Sequence, residues 1–306
     1  MKIIKTILVA AAAAVSYVAG AQALPYVAVE KGAASLAKAG ADLTETSSIA
    51  ASAFGNVAAV PFSELKADFS AGYTMWQPAA SKSNIITAAG AYNLGGKLGI
   101  AAGFSYGMNP SYEVTDGTGA SAGTFSPSDM QFGAGVAYRV IDFLSVGANI
   151  GYASSSLAQG YSYGAVAADV FAMAVFSDLR LTLGVADLGS GVASASGTKF
   201  SLPSSVALGA GYGKSFAEKH DVEVLLDANY YFAGDLAAAL GAEYTFNDLV
   251  SVRAGYRYGG KSPIPTFASV GAGVKFSGVK LDLAYLLAGA DSPMKNTLAI
   301  SLGYSF

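Results

Sequence analysis

The most constraining stretch of this chain is its last ten residues, Thr297-Leu298-Ala299-Ile300-Ser301-Leu302-Gly303-Tyr304-Ser305-Phe306. Leu298, Ile300, Leu302, Tyr304 and Phe306 fall on one face of a strand, and Thr297, Ala299, Ser301, Gly303 and Ser305 fall on the other. Strict period-two alternation puts the bulky apolar set on one side of a sheet and small polar residues on the other. In a membrane β-barrel, lipid meets the first face, the lumen meets the second, and an aromatic residue marks the interface. Tyr304 and Phe306 therefore read as a membrane-assembly signal at the end of an outer-membrane strand.

The amino terminus supplies an address. Lys2 and Lys5 form a positive region, Ile7 to Val15 is apolar throughout, and Ala21-Gln22-Ala23 matches an A-x-A cleavage site. Residues 1–23 are thus expected to be a secretory signal, cut after Ala23 so that Leu24 becomes the mature terminus. The apolar run is too short for a membrane anchor. No cysteine is present, which excludes disulfides and thiolate metal sites.

Composition narrows the class further. Hydrophobic residues make up 53 % and charged residues 13 %, with mean hydropathy +0.43, where a soluble domain carries about 25 % charged residues. Yet after the signal no apolar run is long enough for a membrane helix. The best candidate, Ala165 to Phe176, is short and contains Asp169. Apolar character spread thinly over alternating segments is what barrels show, because every second residue faces lipid. Removing Lys2 and Lys5 leaves 16 basic residues against 21 acidic ones, a net charge of −5 that gives no footing for nucleic acid.

Fourteen alternating segments follow, near 66–77, 84–93, 96–107, 129–140, 144–154, 164–176, 179–187, 204–214, 221–232, 235–246, 250–258, 266–276, 279–287 and 296–306. The expected fold is all-β, a transmembrane antiparallel β-barrel of about 14 strands, with twelve or sixteen as alternatives. Short connections such as Ile141-Asp142-Phe143, Ser177-Asp178, Asn247-Asp248-Leu249 and Ser277-Gly278 use the residues that tight turns require. The longer ones (108–128, 155–163, 188–203, 259–265 and 288–295) all fall at the other end, as extracellular loops do. One hairpin pattern recurs, Tyr138 to Tyr152 matching Tyr244 to Tyr258.

Inward positions are small, with Gly99, Ala101, Gly103 and Ser105 on one strand and Gly133, Gly135 and Ala137 on the next. A barrel wider than eight strands and lined by glycine does not fill itself. Residues 24–65, which lack sustained alternation, are the expected plug or hatch ahead of the barrel proper (66–306). The alternative is a loosely ordered periplasmic leader. Asp169, Glu243, Arg253 and Arg257 are candidate lumen charges, and pairing Phe246 with Val250 would set Glu243 opposite Arg253. Such charges can hold a plug or form a polar constriction.

Nothing indicates catalysis. The sole histidine, His220, falls in a turn with no serine placed for activation, and no catalytic, metal or cofactor motif is present. The Gly-x-Gly stretches precede no helix.

Four stretches stand out: Ala37-Lys38-Ala39-Gly40-Ala41-Asp42, Phe54-Gly55-Asn56-Val57-Ala58, Ala168-Asp169, and Leu183-Gly184-Val185-Ala186-Asp187-Leu188-Gly189. On these the chain resembles the FadL superfamily, and within it the PorV/PorQ family, which carries Asn-Pro-Ala where Asn56-Val57-Ala58 stands. Resemblance to PorV/PorQ implies a non-enzymatic accessory of type IX protein secretion; resemblance to FadL implies a passive channel for small hydrophobic molecules. The implied partners are outer-membrane lipids, the outer-membrane assembly machinery, and either type IX secretion components or a small hydrophobic ligand. The implied location is the bacterial outer membrane.

Overall fold

Fourteen strands of the chain close into one antiparallel barrel in the computed structural model, which describes residues 22–193, 198–260 and 262–306. In chain order they are β1 (Ala67–Trp76), β2 (Ser83–Leu94), β3 (Leu98–Met108), β4 (Ser128–Ile141), β5 (Leu144–Ala158), β6 (Tyr161–Phe176) and β7 (Leu179–Gly189). The second half comprises β8 (Ser205–Phe216), β9 (His220–Tyr231), β10 (Asp235–Phe246), β11 (Val250–Tyr258), β12 (Phe267–Phe276), β13 (Val279–Leu287) and β14 (Leu298–Ser305). Each strand pairs with the next, and β1 closes on β14, with Phe69 opposite Tyr304 and Tyr73 opposite Ile300. Closure leaves no sheet edge unpaired, the condition for a sheet to sit in lipid.

Alternation decides what faces outward. On β9, Val222, Val224, Leu226 and Tyr230 are exposed, whereas Leu225 and Asp227 are buried inside. At the turn end an aromatic girdle runs round the outside, formed by Phe143, Phe176, Phe216, Phe246, Phe276 and Phe306. Phe143 and Phe176 stack there with ring centroids 5.3 Å apart. An apolar band bounded by aromatic rings fits a bilayer and its interface, so the wall belongs in a bacterial outer membrane. Among the described residues no helix is long and apolar enough to cross a membrane.

The tight turns follow from their residues. Ser277 and Gly278 both take positive φ, 49° and 84°, as a two-residue hairpin turn of this hand demands. Asn247 and Asp248 do the same at 56° and 51°.

One expected loop is absent. β5 continues to Ala158 and β6 begins at Tyr161, so Gln159 and Gly160 alone make the connection expected over 155–163. Ser155 pairs with Tyr163 and Ser156 with Ser162. Beyond the bilayer both faces of a hairpin meet water, so no apolar alternation announces it. His220 likewise opens β9, paired with Phe246, and is not a turn residue.

Residues 22–66 run inside this wall. They carry 3₁₀ turns at Pro25–Ala28, Ala50–Phe54 and Val57–Phe62 and one short helix, α1 (Ala33–Ala37). Leu36, Ala37, Ile49, Val57 and Val60 are buried against inward-facing wall residues. The rest of the expected signal segment, Ala21 included, lies outside the described residues.

Candidate functional site in the barrel lumen

Small inward residues let the inner segment approach the wall closely. A Cβ at Gly255 would stand 2.3 Å from the Lys38 carbonyl carbon, and one at Gly133 would stand 2.4 Å from the Ala53 carbonyl oxygen. Only glycine admits backbone that near.

Polar wall side chains then satisfy the segment's irregular backbone, which would otherwise carry buried unpaired groups. Asp68 Oδ2 accepts from the Ile49 and Ala50 amides at 2.9 and 3.1 Å. Asp227 Oδ2 accepts from the Asp42 and Leu43 amides at 2.7 and 2.9 Å. Asn149 Nδ2 donates to the Gly55 carbonyl at 2.5 Å and to that of Ser52 at 3.1 Å, and Ser269 donates to the Ala37 carbonyl at 2.8 Å. Within the segment, Asn56 caps the Val57–Phe62 turn by accepting from the Ala58 amide at 2.9 Å.

The strongest tie is ionic. Lys38, just after α1, is 2 % exposed. Its ammonium pairs with Glu45 of the same segment and lies 3.3 Å from Glu243 and 3.5 Å from Glu223 on the wall. Three carboxylates thus converge as they would on a metal ion, and the lysine supplies the cation. The network continues through Arg180 to Glu223, through Arg253 to Glu243 at 2.8 Å and Asp282 at 2.6 Å, and separately through Lys280 to Asp68 at 2.6 Å. Burial opposes the charge on Lys38, yet the three carboxylates outweigh it and hold its pKa above the usual lysine range. Burial similarly opposes the Glu45 charge, and Lys38 overrides it to keep that carboxyl low. Elsewhere in the segment burial wins: Glu30 is pushed up to about 8, helped by Asp42, and Lys31 is pushed down to about 7.

The candidate charges are therefore split. The register sets Glu243 opposite Arg253 and the structure joins them. Asp169 stands apart, accepting from the Asp187 amide at 2.7 Å. Arg257 also stands apart, 5 % exposed, with its Nη2 3.5 Å from the Tyr231 hydroxyl. Lys38, Glu45, Arg180 and Glu223 escape a sequence reading because the Lys38–Glu223 pair joins positions 185 residues apart. The available signal for Glu223 was its inward place between Val222 and Val224.

At the residues named for processing and assembly, the Ala23 amide donates to the Ser201 carbonyl at 2.8 Å, and Leu24 is buried with φ 50°. The Phe306 carbonyl accepts from the Lys66 and Ala67 amides, and its ring sits 5.9 Å from that of Tyr304. His220 Nδ1 is 2.7 Å from the Tyr244 hydroxyl.

Spaces remain around the inner segment. At the turn end a vestibule of about 820 Å³ is lined by the ionic network. A chamber of about 130 Å³, lined by Glu30, Lys31, Asp187 and Arg257 among others, lies deeper. At the loop end a cavity of about 550 Å³ opens between residues 24–29 and the wall, with Tyr26, Trp76, Ile85, Tyr163, Phe200 and Ile264 around it. Its volume and largely apolar lining are those of a small-molecule pocket.

No family model matches the sequence, and no curated protein does. Solved structures do match. The Ralstonia pickettii toluene transporter TbuX superposes with a TM-score of 0.60 at 13 % identity, over 90 % of this chain and 98 % of its own. The Pseudomonas putida toluene transporter TodX gives 0.61 at 15 % identity, over 90 % and 96 %. A Pseudomonas aeruginosa FadL homologue gives 0.53 at 13 %, over 90 % and 98 %. The fold is the one these toluene transporters and this FadL homologue share. At such identities the likeness carries the architecture and nothing finer.

Proposed function

We propose that this chain is a passive outer-membrane channel for small hydrophobic molecules, with residues 24–65 as its plug. The observation that carries the reading is the aromatic-walled cavity at the loop end, whose lining shares no residue with that of the charged vestibule. An apolar solute gains from leaving water for such a cavity, about 25 cal/mol per Å² of apolar surface buried, whereas the vestibule is lined by the ionic network. Solved structures that share the fold include toluene transporters and a monoaromatic hydrocarbon channel. That supports a channel over the accessory role in type IX secretion.

The test is uptake of labelled toluene by cells with and without the protein. Faster entry is expected with it, and slower entry when Gly107→Phe fills the cavity from the wall. Equal uptake in all three strains would refute the reading.

A further inference from the structure

Among the described residues lining the loop-end cavity, one side chain is charged: Asp129, on β4. Leu24 lines it too, and cleavage after Ala23 would add an α-amino group there, neutral well above about pH 8. The Asp129 side chain is the fixed charge. It is held from behind. Its Oδ2 accepts from Asn109 Nδ2 at 2.9 Å, its Oδ1 accepts from the Ser155 hydroxyl, and Ser83 in turn ties down Asn109. A carboxylate has roughly four acceptor positions, so two donors leave it able to accept from a molecule in the cavity. Lys31, beside this cavity, makes no direct ion pair with Asp129 among the described residues. That ammonium lies 4.1 Å from the centroid of the Tyr26 ring, donates to the Tyr26 carbonyl at 2.8 Å, and lines the deeper chamber.

We propose that Asp129 makes the cavity selective for uncharged apolar molecules bearing an O–H or N–H donor, and that it turns away carboxylates of the same size. The inference rests on the channel reading above and adds the charge of the ligand to it. An anion entering an aromatic enclosure loses its water and meets a fixed carboxylate, and like charges in such a site cannot both stay ionised cheaply. An alcohol loses less on desolvation and finds an ionised acceptor, the stronger kind of hydrogen-bond partner. Discrimination thus comes from repulsion of the wrong ligand as much as from attraction of the right one.

The chain has one tryptophan, and that residue, Trp76, stands in the cavity wall. Its emission therefore reports occupancy without a label. The mature protein, in amphipol at about pH 9.5 where an α-amino group is neutral, is titrated with octanol and with octanoate, as wild type and as Asp129→Asn. Octanol should bind the wild type at least about tenfold more tightly than octanoate, a gap of about 1.4 kcal/mol, and the variant should narrow that gap by strengthening octanoate. Equal wild-type affinities would overturn the proposal and leave the channel reading standing. An unchanged gap in a folded Asp129→Asn would overturn it too. Silence with both ligands, in protein whose heat-modifiable migration shows it folded, would remove the cavity as a ligand site and the channel reading with it. The wild-type comparison decides even where the variant does not fold.

Discussion

Glu243 and Arg253 face one another across β10 and β11, with Arg253 Nε donating to Glu243 Oε2 at 2.8 Å, and Lys38 of the inner segment reaches the same carboxylate oxygen at 3.3 Å. The wall is thereby prepared to hold a lysine that arrives from elsewhere in the chain. Lys38→Met would leave Glu45, Glu223 and Glu243 facing one another, and removing one partner of a buried ion pair costs about 3–5 kcal/mol. That loss falls on the docking of the segment, because the barrel's own ladder is untouched. The expected result is a barrel that still migrates as folded but whose residues 24–65 are cut by added protease. A segment as resistant as that of the wild type would refute the latch.

Acid should release the same contact. The Glu45 carboxyl is held below its ordinary value near 4.5, so its contribution is complete above that value and fades as pH falls through the lower, folded one. Lys38, held above its ordinary value near 10.5, contributes fully below that and loses nothing on acidification. Protease resistance of the segment should therefore drop below about pH 4, and the drop should be smaller in Glu45→Gln. Comparing variant with wild type cancels the opposing contributions of Glu30 and Lys31. Identical acid profiles would exclude Glu45 as the sensitive group.

The wall was legible in the sequence for a physical reason: lipid demands apolar residues at every second position, even though the inward face also takes large side chains such as Phe171, Met173, Leu225 and Leu286. The Glu243–Arg253 pair was legible too, because Asn247-Asp248-Leu249 is too short to permit another register. Past the membrane the signal fades, and the β5–β6 hairpin through Ser154 to Tyr163 read as loop because water meets both faces. Lys38 was hidden among alanines that show no period. Asp129 and Trp76 were hidden because the cavity gathers single residues from many distant segments, and no local spacing marks them.

Close backbone approach predicts a sharp contrast between two glycines. At Gly255 a methyl group would strike Lys38 backbone, which has no rotamer with which to yield; at Gly213 the nearest heavy atom is the Arg180 Nη2, 3.6 Å away. Overpacking of a filled interior costs about 1–3 kcal/mol. Gly255→Ala should lower the unfolding temperature in detergent and loosen the segment, whereas Gly213→Ala should change neither. Equal tolerance would mean that the segment does not rest against β11.

Phe306 joins two jobs that a substitution can separate. Its backbone closes the seam, accepting from the Lys66 and Ala67 amides at 2.7 and 2.9 Å and donating to the Ala67 carbonyl at 3.0 Å. Its ring completes the turn-end girdle beside Tyr304. Phe306→Ala keeps every backbone bond and removes only the ring, so the finished barrel should unfold at nearly the wild-type temperature. We propose that the ring acts earlier, as the feature the assembly machinery recognises. On that view the yield of folded protein in the outer membrane should fall several-fold while the material that does insert behaves normally. A lower unfolding temperature with undiminished yield would reverse the assignment, making the ring a stabilising anchor and leaving recognition to Tyr304 or to the strand as a whole.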